Sequence, residues 1–256
     1  MTAINLKSDL TELGQTLLGI GTLLMSSGAS CQRITKTLER IAGAFNCTVD
    51  LLITHKTLTV TINARGVEPF HSGLKRTLPH SVNFKIVSGI SRMSWSVVEE
   101  NWSIAQINAE VERLVSLPHY PRLLVLFLVS LAGASFCHLF DGSWLDMSVA
   151  FAATFVGLFI RQESTKRNFN PYMRIFFAAF TSSMVASLSI KFGGNIQGPA
   201  LLASVLYLIP GVPLINSFSD LIDGNIMNGI VRGVDGLTIA FAISMGYMLA
   251  IRICQL

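Results

Sequence analysis

The apolar positions of the chain change their rhythm twice. In residues 9–27, Leu10, Leu13, Leu17, Ile20 and Leu24 repeat every three or four positions, which predicts an amphipathic helix with Ser8 as its N-cap. Gly14, Gly21 and Gly28 fall on a second line of that helix, where a neighbour can pack closely. Ser30 opens a second helix whose buried face carries Ile34, Leu38, Ile41 and Phe45, with Asn46 as its stop. The period then shortens to two. Leu58, Val60 and Ile62 alternate with Thr57, Thr59, Thr61 and Asn63, the mark of a half-buried strand, and Asn63-Ala64-Arg65-Gly66 supplies a turn. Val49, Leu51 and Ile53 predict a strand before it, residues 68–77 one after it, and Val82, Phe84 and Ile86 a further one. Ser103 starts a helix with Ile104, Ile107, Val111 and Leu114 on one side. Residues 1–117 thus read as a soluble α+β domain with room for a core of its own, and Pro118-His119-Tyr120-Pro121 is its boundary.

Beyond that boundary the alternation gives way to long apolar runs. Crossing the hydrocarbon of a bilayer, about 30 Å, takes about 20 residues. Runs at 122–140, 144–161, 172–191, 199–219 and 236–253 qualify. The fold class is therefore an α-helical integral membrane protein, with about five transmembrane helices at 118–256 behind the N-terminal soluble α+β domain.

Charge sharpens this picture. Residues 1–120 hold eleven Lys/Arg and nine Asp/Glu, and the longer remainder only eight and six, too few for a solvated surface. Arg161, Lys166, Arg167 and Arg174 lie between the second and third runs against Glu163 alone, whereas Asp141 and Asp146 lie between the first and second with no Lys or Arg. The positive-inside rule then puts the 161–174 loop and the N-terminal domain in the cytoplasm. Leu13–Gln32 carries no charge, but Asp9 and Glu12 stand where a signal peptide wants positive charge, and polar residues dilute the stretch. It reads as neither leader nor span. A net charge of +4 without a basic stripe sets nucleic acid aside. Cys31, Cys47, Cys137 and Cys254 are too scattered for a zinc site or a disulfide framework, so neither metal nor cofactor is predicted.

Candidate chemistry concentrates in the fourth run. Pro210 and Pro213 each remove a backbone donor and Gly211 adds freedom, so a continuous helix is not expected there. A break at membrane depth survives where protein or a cavity satisfies the freed carbonyls, and transporters use such breaks as binding sites; a plain proline kink is the simpler alternative. Asn216, Asp220 and Gly224 follow at spacings of four, on one helical face. Asp220 is the candidate proton-coupling carboxylate and Arg232 the candidate cation for an anionic substrate, unless both lie in a wet loop with Asp223. Ser183 and Ser187 share a face of the third run, either lining a polar path or letting helices pack. Cys137-His138 with Asp141 is a weaker relay candidate, since a histidine at the end of a span is usually interfacial. With no GxSxG, HExxH, P-loop or GxGxxG, the chain does not read as an enzyme.

Taken in order, these residues resemble the threonine/serine exporter (ThrE) family, and within it the larger, YjjP-type component of its split, two-protein form. The likeness runs through Gly28-Ala29 and Arg40, Tyr120-Pro121-Arg122, Phe136-Cys137, Gly142, Trp144 and Ile160-Arg161-Gln162. Its most specific stretch is Pro210-Gly211-Val212-Pro213-Leu214-Ile215-Asn216 with Asp220, Gly224, Gly229 and Arg232, where Gly224 and Gly229 are packing or hinge positions. The resemblance implies a multi-pass protein of the bacterial inner membrane, its N-terminal domain cytoplasmic, working with a second small membrane subunit. It also implies export of small carboxylated metabolites, threonine and serine or a succinate-type dicarboxylate, driven by the proton motive force. A homo-oligomer is compatible with it. Residues 235–256 share only hydrophobicity with the family. The competing reading is a membrane-anchored regulatory or scaffold protein whose N-terminal domain binds a ligand or partner.

Overall fold

The computed structural model describes residues 3–64, 70–77, 82–118, 120–191 and 198–254. Its elements are α1 (Ala3–Ser26), α2 (Cys31–Ala44), β1 (Cys47–Ile53), β2 (Thr57–Ala64), β3 (Phe70–Arg76), α3 (Phe84–Glu99) and α4 (Ile104–Ser116). Then come α5 (Arg122–Leu139), α6 (Trp144–Lys166), α7 (Pro171–Lys191), α8 (Pro199–Ala203), a 3-10 turn at Leu206–Leu208, α9 (Gly211–Ile222) and α10 (Ile226–Cys254). They form two compact units, Met1–Pro118 with Val212–Gly233, and His119–Gly211 with Val234–Leu256. Hydropathy assigns 212–233 to the apolar bundle; in the structure they cluster with the N-terminal elements. The reason lies in α9, which buries Ser217 and Asp220 and exposes Ile215, Phe218 and Ile222, so its apolar side is what a hydropathy scan sees.

In the first unit a three-stranded antiparallel sheet, ordered β1-β2-β3, pairs Leu51 with Val60 and Val60 with Gly73. The alternation of β2 buries Leu58, Val60 and Ile62 completely, each stabilising by about 1.5–3 kcal/mol through area removed from water. Helix α1 lies on this face. A Cβ at Gly21 would sit 2.3 Å from Leu58 Cδ2 and one at Gly14 2.2 Å from His71 Cδ2, so both glycines mark close approach to the sheet. Gly28 serves the backbone instead. At φ +87° it closes α1, with Ala29 N–H donating to the Leu24 carbonyl and Gly28 N–H to that of Met25. Asn46, at φ +55°, stops α2 in the same left-handed way. The turn at Asn63–Gly66 extends beyond the described residues.

One predicted strand is a helix. Val82, Phe84 and Ile86 alternate, but Asn83 is the N-cap of α3, its side chain accepting from Lys85 N (3.1 Å) and Ile86 N (3.4 Å). From there Ile86, Val87, Ile90, Met93 and Val97 are buried at helical spacing, and Phe84 stays exposed. Ser103 caps α4 reciprocally with Gln106.

The second unit is helical throughout its described residues, and small side chains fill it. Ala150, Ala153, Ala178, Ala179, Ala186 and Ala250 are fully buried. Gly133 faces Thr154, and Gly246 lies against the backbone of Phe176 and Phe180. Three described helices are long and apolar enough to cross a membrane, namely α5, α6 and α10, or four spans if the bent pair Pro199–Leu208 and Gly211–Ile222 counts as one. The break in that pair falls at Ile209–Pro210.

Candidate functional site: a buried carboxylate and arginine on the α1–α2 turn

The site lies within the first unit, where the turn Gly28-Ala29-Ser30-Cys31 meets α9 and the start of α10. Ser30 caps α2 by accepting from Arg33 N (3.4 Å), which leaves the N–H of Cys31 among the orphan donors of the first turn. Asp220, one helical turn past Asn216 on α9, supplies the acceptor. It is wholly buried, and its Oδ1 accepts from Cys31 N at 2.9 Å. Its Oδ2 accepts from the Cys31 thiol at 3.4 Å. The positive end of α2 therefore faces a full negative charge.

Arg232 answers that charge from α10. Its Nη1 lies 2.9 Å from Asp220 Oδ2, but the N–H directions miss hydrogen-bond alignment, so the contact is an ion pair at close range. Its Nη2 donates to the Ala29 carbonyl at 3.1 Å. Asn216 Nδ2 donates to the Gly28 carbonyl at 2.8 Å. Asn228 reaches β1, donating to the Ile53 carbonyl at 2.8 Å, and Gln32 donates to Asp223 at 3.1 Å on the surface. Burial is the main cause that pushes the Cys31 thiol up to about 12, with Arg232 opposing and Asp220 assisting. The thiol thus stays protonated and donates to the carboxylate.

Asn216, Asp220 and Arg232, chosen from sequence, therefore converge on one turn. The wet-loop alternative describes Asp223, which is exposed, and not Asp220. Gly224 ends α9 at φ +81°, with Asn225 N–H donating to the Asp220 carbonyl at 2.7 Å. Gly229 packs: a Cβ there would lie 2.7 Å from Leu221 Cγ and 2.9 Å from the Ser217 carbonyl. Pro210 and Gly211 stand at the helix break, and Pro213 falls in the first turn of α9, where its missing N–H costs nothing. Cys31 and Asn228 escape sequence reasoning. The orphan N–H at the head of α2 is legible, but its partner lies 189 residues away.

Ser183 and Ser187 belong to the second unit. Both are buried; Ser187 bonds the Met184 carbonyl (2.7 Å) and Cys254 Sγ (3.0 Å), whereas Ser183 Oγ has no partner among the described residues. Ser182 also bonds across helices, to the Ala153 carbonyl and the Tyr207 hydroxyl, both at 3.2 Å. Cys137 is buried against Gly142, and among the described residues no group of His, Cys, Asp and Glu is arranged to hold a metal.

Comparison with known proteins bears on this geometry. Proteins named "Probable succinate transporter subunit YjjP" from Klebsiella aerogenes and Escherichia coli K12 are 35% and 33% identical over 51% and 52% of this chain, covering 52% and 53% of their own. A "Probable threonine/serine exporter" of Mycobacterium tuberculosis is 21% identical over 90% of this chain and 44% of its own. The chain thus spans about half the length of the curated relatives it matches. These relatives are named as transporters and exporters. No solved structure matches the chain significantly. The profile of the threonine/serine exporter family covers residues 15–254, and the chain belongs to that family, ThrE.

Proposed function

We propose that this chain is one subunit of an inner-membrane exporter of small carboxylated metabolites, a succinate-type dicarboxylate or threonine and serine. It works with a second small membrane subunit and draws on the proton motive force. Its N-terminal domain is cytoplasmic and five helices cross the membrane, α7 being counted with α5, α6, α10 and the broken α8–α9 pair. Family membership supports the transport reading, and the word "subunit" in the names of two relatives supports the partner. The cations at 161–174 support the orientation.

The observation that carries the mechanism is the buried Asp220–Arg232 pair. A charge out of water is costly unless paired, so the two residues are coupled. Protonating Asp220 removes the counter-charge of Arg232 and loosens the hold of α9 and α10 on the α1–α2 turn. A proton taken up at Asp220 is thereby converted into movement of the segment next to the Pro210 break. Asn216 in the first unit, and Ser183 and Ser187 in the second, are each candidate polar positions for the substrate, and Gly224 is where α9 and α10 articulate.

The test is efflux from cells lacking endogenous exporters, preloaded with succinate, threonine or serine. Export that requires both this chain and its partner is expected, and Asp220→Asn should abolish its dependence on the proton gradient. Full activity of the lone chain in proteoliposomes would sink the two-subunit reading. No efflux of any of the three with both proteins in the membrane would sink the assignment of these substrates and leave either a different substrate or the scaffold reading.

A further inference from the structure

A second cation withdrawn from solvent stands in the other unit, and it has no acid beside it. The side chain of Arg161, on α6 and partly buried, makes no ion pair and no hydrogen bond to any described residue. The charged or ionisable groups close enough to act on it are the Tyr207 hydroxyl and a second guanidinium, Arg174 of α7. The acids of this end of the unit are engaged elsewhere. Glu163 pairs with Arg122 (3.3 Å) and Lys166 (3.6 Å), and Asp235 accepts from the Tyr172 hydroxyl at 2.6 Å. Arg122 is satisfied by Gln162 as well as Glu163 and lies over the Phe159 ring. Arg174 spends one N–H on Thr165 Oγ1 at 3.1 Å. Neither Arg161 nor Arg174 is paired with an acid among the described residues.

The surroundings of Arg161 are polar on one side. Gly157, one turn earlier on the same face of α6, leaves room for Ser182 and Tyr207; a Cβ there would lie 1.8 Å from Ser182 Oγ and 2.5 Å from the Tyr207 hydroxyl. Ser182 donates to the Ala153 carbonyl, so in the bond between the two hydroxyls Tyr207 is the donor, and by giving up that bond it can turn its proton toward an incoming acceptor. Planar guanidinium groups bind carboxylates through paired N–H donors. From this cluster we infer a carboxylate-binding site formed by Arg161, Arg174, Tyr207 and Ser182, whose ligand is a small dicarboxylate. One carboxylate sits on Arg161 and the hydroxyls, the other on Arg174. A zwitterionic amino acid fits less well, because no free carboxylate near Arg161 receives its ammonium. The inference rests on the exporter reading for its biological meaning, and by the orientation proposed above the site lies toward the cytoplasmic end of α6, the side from which an exporter loads.

The test separates this site from that reading. Purified chain with its partner is titrated with radiolabelled succinate, and with threonine as competitor, for wild type, Arg161→Gln, Arg161→Lys, Tyr207→Phe and, as a control on exposed charge, Arg167→Gln. Succinate binding that threonine does not displace is expected. Arg161→Gln should weaken it at least about tenfold, and Tyr207→Phe about threefold to tenfold, the loss of one charge-assisted hydrogen bond or one neutral one. Arg167→Gln should bind as wild type does. If Arg161→Gln fails to fold, Arg161→Lys and Tyr207→Phe decide, since both keep the volume and Lys lacks the paired donors. Unchanged succinate binding in folded Arg161 and Tyr207 variants overturns the site, as does preference for threonine or no binding at all. Efflux that persists with a wild-type KM in Arg161→Gln overturns the site and leaves the exporter reading standing. Binding without efflux does the reverse.

Discussion

The two units of this chain bury opposite kinds of side chain. In the first, the bulkiest fully buried residues are Leu17, Ile20, Ile34, Leu38, Leu58 and Ile62 and their like, packed as one continuous core. In the second, alanine, glycine and serine fill the interior while Leu123 (73% exposed), Trp144 (83%) and Met248 (69%) face outward. The first arrangement is what water produces, because apolar area gains by leaving it. The second has no use for that force: lipid tails are as apolar as leucine, so helices associate by close approach and by hydrogen bonds between them. Family membership in a group of exporters and this inverted interior point to the same surroundings. The buried ion pair complicates the contrast, since it places charge inside the unit that is otherwise built like a soluble protein.

That pair gives the largest expected effect. Arg232→Met leaves Asp220 buried with only Cys31 as partner, and should lower stability by about 3–5 kcal/mol. The double variant Arg232→Met/Asp220→Leu should recover most of that loss, because it removes both desolvated charges. Thermal unfolding of the detergent-solubilised protein measures both, with Asp220→Leu alone completing the cycle; a loss in the double variant equal to the sum of the two single losses would show that the charges are not coupled. Next in size is Leu17→Ala, at a wholly buried position of the first unit, expected to cost about 2–5 kcal/mol. Leu123→Ala removes the same atoms from an outward face of the second unit and should stay within about 0.5 kcal/mol of wild type. A large loss at Leu123 would mean that this surface is covered by protein, the partner subunit being the first candidate.

What can be read in the sequence follows the same division. Period and burial agree where one side of an element faces water, so α1, α2, β2 and α4 are legible from their apolar stripes. The strand expected at Val82–Ile86 fails because three alternating residues straddle a cap; the stripe that matters starts at Ile86 and continues to Val97. In the second unit hydropathy finds the apolar runs but not the ends of the helices. Helix α6 continues past residue 161 to Lys166, and α10 begins at Ile226, ten residues before the predicted 236. Backbone hydrogen bonds do not stop where charge begins. At the site, Asn216, Asp220 and Arg232 are legible as costly polar residues in an apolar context. Most of their partners are not, since apart from each other and the Cys31 thiol the groups they bind are main-chain atoms of Gly28, Ala29 and Cys31, which a sequence does not distinguish from any others.

The smallest effects come from glycines, and they probe the packing contrast at single-carbon scale. Gly157→Ala places a Cβ 1.8 Å from Ser182 Oγ and 3.0 Å from the Ala178 carbonyl. The serine can rotate away, but the carbonyl belongs to the backbone of α7, so the helices must separate. A cost of about 1–3 kcal/mol is expected, as for other overpacked interiors. Gly19, in the middle of α1, has nothing within 4 Å of where its Cβ would be. Alanine there restricts the unfolded chain and suits a helix better, so Gly19→Ala should stabilise by about 0.5–1 kcal/mol. The two substitutions add the same methyl group to a helix, and opposite signs in thermal unfolding would mean that contact rather than propensity decides in the second unit. Stabilisation by both would show that α6 and α7 do not approach through Gly157, and the hydroxyl pair beside Arg161 would then lose the close packing that holds it in place.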